Sequence, residues 1–163
     1  MSNYDFLKPY IIPSEKESDD IKYIDFKHQF YPLEKLEVGR IKDLMGLIPY
    51  ELFEFYNTIG YGFFYKDNKT YFNRLLDVFS FKDINFKEDI YEFDPDLIIY
   101  DNLYKGEKYL FFEISEGNYL AIDENDTNGK NAVYYFTKKI SDSLVDFLIA
   151  FDENPDLITN LIV

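Results

Sequence analysis

Three short, aromatic-rich segments separated by polar turns constrain the fold of this chain more than any other feature of its sequence. They are KYLFFEI (108–114), NYLAID (118–123) and AVYYF (132–136), joined by SEG and by DENDTNGK. Runs of this length and composition, bounded by Gly, Asn and Asp, are typical of strands joined by hairpin turns. The sequence therefore predicts an antiparallel meander over residues 108–136.

The composition indicates a folded chain with a substantial sheet. Of the 163 residues, 47% are hydrophobic and 20% are aromatic, which excludes intrinsic disorder. The aromatics are 16 Tyr and 17 Phe, two residue types that favour strands. The length fits one domain. We expect an α+β fold in which a mixed, largely antiparallel sheet is flanked by helices.

Helix start and stop signals flank the predicted sheet. Helical spacing of apolar residues predicts one helix from Pro32 to Met45. A second should begin near Pro49, because proline is tolerated in a first turn, and end at Gly60, which can adopt a positive φ. The segment SDSLVDFLIAF predicts a third helix with Ser141 as its N-cap.

The N-terminal part of the chain lacks such clear periodicity. Residues 1–20 contain Pro9 and Pro13 and the polar run SEKESDD, which predicts a loosely ordered segment. The next residues, IKYIDF (21–26), alternate with period two and predict a strand. We therefore expect a single domain over residues 21–163.

Charge and cysteine content limit the classes of partner. The formal net charge is −14, so we expect neither nucleic acid nor an anionic membrane as a partner, because both need clustered Lys and Arg. A basic protein partner fits this charge, as does a simple role in solubility. The chain has no Cys, and we see no signal peptide or membrane span, so we expect a soluble cytoplasmic protein.

No familiar catalytic, cofactor or metal motif is present in the sequence. The one histidine, His28, has no Cys to pair with and is more typical of a structural residue. Aligning DENDTNG with a calcium loop places Tyr135 where a bidentate Glu is required, so an Asx-rich turn explains it better. We therefore predict no metal, no cofactor and no enzymatic activity.

Acidic turns are the candidate partner contacts. Glu116 lies in the first predicted hairpin turn, and Asp123, Glu124 and Asp126 lie in the second. Solvated turns are often acidic in any case, so these residues also fit a purely structural role.

The stretch LIPYELFEFYNTIGYGFF resembles the signature of the SUKH superfamily. Pro49 matches the start of the signature helix and Gly60 its stop, with Gly62 shortly after. YLFFEISEGNYLAID, AVYYF and SDSLVDFL resemble the hairpin, strand and closing helix that follow. The resemblance covers roughly residues 33–150 and rests on structural positions. Ile48 between Leu47 and Pro49 departs from the pattern, as does the lack of a second glycine directly after Gly60.

The resemblance implies an α+β fold and a protein-binding function. Bacterial members of the superfamily are implied to be immunity proteins that neutralise toxins, many of them nucleases. The primary hypothesis is therefore a stoichiometric toxin inhibitor whose cognate toxin domain is basic. Two other hypotheses stay open: a regulatory protein-binding scaffold without toxin neutralisation, and an acid/base enzyme that uses paired carboxylates. Pro49, Gly60 and Gly62 are predicted to matter for folding and not for recognition. The oligomeric state is unknown.

Overall fold

The computed structural model describes residues 2–162. Its strands are β1 (Gln29–Tyr31), β2 (Tyr61–Phe63), β3 (Arg74–Leu75), β4 (Lys108–Ser115), β5 (Asn118–Asp123), β6 (Val133–Tyr135) and β7 (Lys138–Ser141). Its helices are α1 (Lys35–Leu44), α2 (Tyr50–Thr58), α3 (Val78–Phe86), α4 (Ile98–Tyr104), α5 (Leu144–Glu153) and α6 (Leu157–Ile162). Short 3-10 turns cover Asp5–Tyr10, Glu15–Glu17, Ile21–Tyr23, Asp89–Tyr91 and Pro95–Leu97.

The strands form one sheet in which spatial order follows chain order. Each strand from β1 to β7 pairs antiparallel with the next, and an isolated bridge between Ile11 and Phe30 is parallel. The predicted α+β class is confirmed, and so is the meander over 108–136. Strand β7, which extends the meander, was missed because its residues KKIS are mostly polar.

Both faces of the sheet centre are covered. Four consecutive residues of β5, from Tyr119 to Ile122, are buried. Because successive side chains of a strand point to opposite faces, this pattern requires packing on both sides. On one side Phe112 of β4 contacts Phe147 and Phe151 of α5, with ring centroids 6.3 and 6.0 Å away.

The N-terminal residues make direct contacts with this core. Tyr4 and Leu7 are fully buried, and the Tyr4 hydroxyl donates a 2.9 Å hydrogen bond to the backbone carbonyl of Glu51. The Ile12 N–H donates to the carbonyl of Phe30 in β1 at 2.7 Å. The division of the chain at residue 20 into a loose segment and a domain stays a prediction.

The predicted strand at residues 21–26 is wrong. Ile21–Tyr23 forms a 3-10 turn in which Tyr23 is the buried residue, while Ile21 and Ile24 are exposed. The position beside β2 is taken instead by β1, where Gln29 pairs with Phe63. The alternation in IKYIDF therefore does not correspond to sheet pairing.

The predicted N-cap of α5 is also wrong. Ser143, and not Ser141, accepts the capping hydrogen bond, from the Asp146 N–H at 3.3 Å. Ser141 ends β7 and its hydroxyl donates to the Ser143 carbonyl at 2.8 Å. The helix at 32–45 is confirmed, but it begins at Lys35, because Glu34 and Glu37 form a capping box there.

Two glycines carry the chain from α2 into β2. Pro49 directly precedes α2, and Gly60 follows its end with φ +112° and an N–H bonded to the Phe55 carbonyl at 3.2 Å. A Cβ on Gly60 would lie 1.9 Å from the Tyr31 carbonyl oxygen. On Gly62, where φ is +150°, it would lie 2.1 Å from the Gln29 oxygen. Backbone therefore touches backbone where β2 meets β1.

Replacing Gly60 by Ala should lower the free energy of unfolding by about 3 kcal/mol, because it combines positive-φ strain with a backbone clash. The matched control is Gly39→Ala inside α1, where nothing lies within 4 Å of the new Cβ. That change should stabilise by up to about 1 kcal/mol. Urea unfolding of the two variants checks the prediction, and equal stabilities would contradict it.

Candidate functional site

The four acidic residues predicted as contacts do not form one surface. Glu116 is exposed in the turn closed by the Ser115–Asn118 pair. Asp123 pairs with Lys108 at the other end of the same hairpin. At about 3.3 Å per residue, the two ends lie about 20 Å apart. Glu116 and the 123–126 turn are therefore separate candidate contacts.

Side chains of the 123–126 turn already have partners within the chain. The Asp123 carboxylate accepts from the Lys108 ammonium at 2.8 Å, and Glu124 accepts from the Tyr109 hydroxyl at 3.4 Å. Asp126 accepts the N–H of Gly129, three residues on, at 2.9 Å. These bonds shape the turn and offset part of its negative charge.

A depression of about 590 Å³ opens beside this turn. Its charged lining residues are Asp123, Lys130, Lys139 and Asp142, and Lys139 contacts Asp142 at 2.9 Å. The depression thus carries mixed charge and does not extend a continuous acidic surface.

A buried carboxylate, Glu51, joins three parts of the chain. One oxygen accepts the backbone N–H groups of Asn131 (2.6 Å) and Leu144 (2.8 Å), and the other accepts the Ser143 hydroxyl at 2.6 Å. The Glu51 N–H donates in return to the Asn131 side-chain oxygen at 3.0 Å. Because protein donors occupy both oxygens and the carboxylate faces the N-terminus of α5, it acts as a structural anchor.

His28 is the centre of a second buried polar group. Its Nδ1 accepts the Tyr65 N–H at 2.9 Å, so the proton of the neutral ring lies on Nε2, 2.8 Å from the Asp152 carboxylate. Burial lowers the pKa of His28 to about 4, although Asp152 opposes the shift. The imidazole is therefore neutral at pH 7 and joins the β1–β2 edge to the end of α5.

Sequence reasoning missed Glu51 as a structural anchor. Its only local signal is its position in the first turn after Pro49, and the donors that bury it lie 80 and more residues later. His28 was expected to be structural, but Asp152, its partner, carried no signal at all.

Among residues 2–162, no cluster of three or more Asp, Glu or His side chains has a metal-binding arrangement. Within the same residues, no helix has the length and apolar character needed to cross a membrane.

Comparison with known proteins gives the family. The sequence model of the SMI1 / KNR4 family (SUKH-1) matches residues 32–150, well over half of the chain. The chain belongs to the SMI1 / KNR4 family. A relative, Immunity protein YxxD of Bacillus subtilis (strain 168), is 35% identical over 161 residues, which are 98% of this chain and 97% of that protein. No solved structure matches.

The SMI1 / KNR4 match contains the Glu51 anchor and all of the hairpins, since it runs from Pro32 to Ala150. His28 and Asp152 lie just outside it. The alignment with the Bacillus subtilis relative covers nearly the whole chain, and the similarity thus extends beyond the SMI1 / KNR4 match.

Replacing Glu51 by Gln should lower the free energy of unfolding by about 3 kcal/mol, because an amide nitrogen would replace an acceptor that faces buried donors. Glu153→Gln, an exposed position on α5, is the matched control and should change stability by less than about 0.5 kcal/mol. Chemical denaturation measures both, and a small effect of Glu51→Gln would refute the anchor.

Stability should also fall as the pH is lowered from 6.5 towards 4. The folded pKa of His28, about 4, lies below its unfolded value of 6.5, so the unfolded state binds more protons in that window. Between pH 7.5 and 5 this site should cost about 2 kcal/mol. His28→Asn, which keeps an acceptor for the Tyr65 N–H, should lack that component. If the stability of the parent and of the His28→Asn variant depends on pH in the same way, His28 is not the group responsible.

Proposed function

We propose that this chain is a bacterial immunity protein that neutralises a toxin by stoichiometric binding. The observation that carries the proposal is its similarity to Immunity protein YxxD over 98% of its length. The match extends over nearly the whole of both chains, so the relative has the same extent as this chain.

Binding without catalysis agrees with the placement of the ionisable groups. The two buried polar centres, at Glu51 and His28, are occupied by contacts within the protein. An inhibitor needs only a complementary surface that covers the toxin, and a rigid scaffold lowers the entropic cost of presenting it.

We propose further that the toxin domain is basic and acts on nucleic acid. A nuclease has a positive substrate site, because phosphate contacts need Lys and Arg. A chain with net charge −14 gains encounter rate and complementarity against such a site. A nuclease acts where nucleic acid lies, so its inhibitor would work in the cytoplasm.

Co-expression with candidate toxins tests the proposal. The toxin domains of the source organism and of its close competitors are expressed singly in Escherichia coli, with or without this chain. We expect one of them to stop growth, this chain to restore it, and the pair to elute as a one-to-one complex. If no toxin is neutralised, the immunity proposal fails and a regulatory scaffold becomes the better hypothesis.

The acidic turn residues stay proposed contacts within that complex. Changing Asp123 and Asp126 to Asn and Glu124 to Gln should weaken toxin binding about tenfold at low salt and flatten its salt dependence. Calorimetric titration at two salt concentrations measures this. The melting temperature is measured alongside, because Asp123 also holds Lys108. Unchanged affinity at low salt would remove this turn from the interface.

A further inference from the structure

Residues 88–99, EDIYEFDPDLII, run from just after α3 into the first turn of α4 and expose large apolar side chains. Ile90 is 83% exposed and Phe93 is 87% exposed, and Ile98 and Ile99 are each more than half exposed. Leaving a large apolar side chain in water forgoes roughly 1.5–3 kcal/mol of burial. Clustered apolar groups with a polar rim are typical of protein interaction sites. We call this segment the 88–99 surface.

The 88–99 surface is anchored to the rest of the protein by a buried side chain and by hydrogen bonds. Leu97 is buried, and the Asp94 carboxylate accepts the Asp96 N–H at 2.9 Å. Next to it, the Tyr100 hydroxyl accepts the Tyr119 N–H at 2.9 Å and donates to the Gly117 carbonyl at 3.2 Å. The exposed apolar groups therefore project from a segment that is anchored to β5 and to the β4–β5 turn.

The same segment carries a concentrated negative charge. Its acidic residues are Glu88, Asp89, Glu92, Asp94 and Asp96, and its sequence contains no Lys or Arg. Lys82 of α3 contacts Glu88 alone among them. The β4–β5 turn adjoins this charge, since Gly117 lies against the Asp96 side chain. Glu116, one of the acidic residues predicted as contacts from the sequence, precedes Gly117 in that turn.

Other exposed apolar residues lack this combination. Ile21 and Ile24 are exposed too, but Lys22 lies between them in the sequence. Leu36, in α1, has Lys35 beside it and Arg40 one turn on. Among residues 2–162, only the 88–99 surface places four exposed large apolar residues within a dozen positions that include carboxylates and no Lys or Arg.

Charge decides what can cover this surface. A second copy of the chain would bring another net charge of −14, and nucleic acid or an anionic membrane would bring phosphates, so all of these are repelled. A protein with a basic face that surrounds an apolar pocket is attracted by the carboxylates and can bury Ile90 and Phe93.

We propose that the 88–99 surface is the docking site for the basic face of the toxin domain that this chain neutralises. This inference rests on the immunity function proposed above. In the complex with the toxin domain, the carboxylates speed association, whereas the apolar side chains, once buried in the interface, set the rate of dissociation. Phe93, the most exposed aromatic of the segment, is the central anchor, as aromatic residues often are at interfaces.

Two double variants test the two roles separately, using the toxin domain that growth rescue identifies. Ile90→Ser with Phe93→Ser should raise the dissociation constant about 100-fold, chiefly through faster dissociation. Asp89→Asn with Glu92→Gln should slow association about fivefold at low salt and little at high salt. Asn suits position 89, where φ is +52°. Biolayer interferometry at two salt concentrations measures both rate constants.

Matched controls come from residues 19–24, which also expose apolar and acidic side chains. Ile21→Ser with Ile24→Ser removes comparably exposed apolar groups, and Asp19→Asn with Asp20→Asn removes two exposed charges. These variants should change the dissociation constant less than about threefold. All four double variants alter exposed residues, so their melting temperatures should stay within about 2 °C of the parent.

The outcomes separate the two proposals. Rescue or affinity that is reduced in the Ile90/Phe93 variant but kept in the control variants supports the docking site, and so does protection of the 88–99 amides from hydrogen exchange in the complex. If the Ile90/Phe93 variant still restores growth and still binds the toxin domain with the affinity of the parent, the docking site is wrong while the immunity function stands. If the parent neutralises no toxin, both proposals fail together.

Discussion

The hydrogen bonds of the buried Glu51 carboxylate are the interaction on which the rest of this structure depends. They tie α2 to the turn before β6 and to the N-terminus of α5, three segments far apart in the chain. A buried carboxylate is costly unless donors satisfy it, and here three protein donors do. Breaking any one of these hydrogen bonds leaves a buried polar group unpaired. We therefore expect α2 and α5 to unfold together.

The sequence predicted those features of the fold that depend on local patterns of residues. The strands of the 108–136 meander and the start and stop of α2 follow from alternation, turn residues, Pro49 and Gly60. The missed features depend on distant partners. IKYIDF alternates like a strand, yet the sheet edge is occupied by Gln29–Tyr31. Ser141 reads as an N-cap, yet β7 extends to it and Ser143 caps the helix.

The candidate site was predicted less well than the fold, for a related reason. Acidity along the chain is visible in the sequence, but exposure and pairing are not. Asp123 is paired with Lys108 of β4, and Asp126 accepts a hydrogen bond within its own turn. The acidic residues around Phe93 are visible in the sequence, but the exposure of its apolar side chains is not. The turn that contains Glu116 lies beside that segment because Gly117 packs against Asp96.

The residues that stabilise the fold differ from those that are proposed to bind the partner. Buried polar groups and close backbone contacts fix the scaffold, whereas we propose that the partner binds the exposed acidic and apolar residues of the 88–99 surface. Family membership and the near full-length similarity to an immunity protein agree with a chain whose work is done by its surface. Variation in such a surface can change the partner without disturbing the scaffold.

Native-state hydrogen exchange at the amides of Asn131 and Leu144 tests the central role of Glu51 most directly. Both amides donate to its carboxylate, so we expect them to exchange only on global unfolding, with the same free energy as the core amides of β4 and β5. Exchange of either amide at a much lower free energy, through local opening, would show that the fold does not depend on this carboxylate.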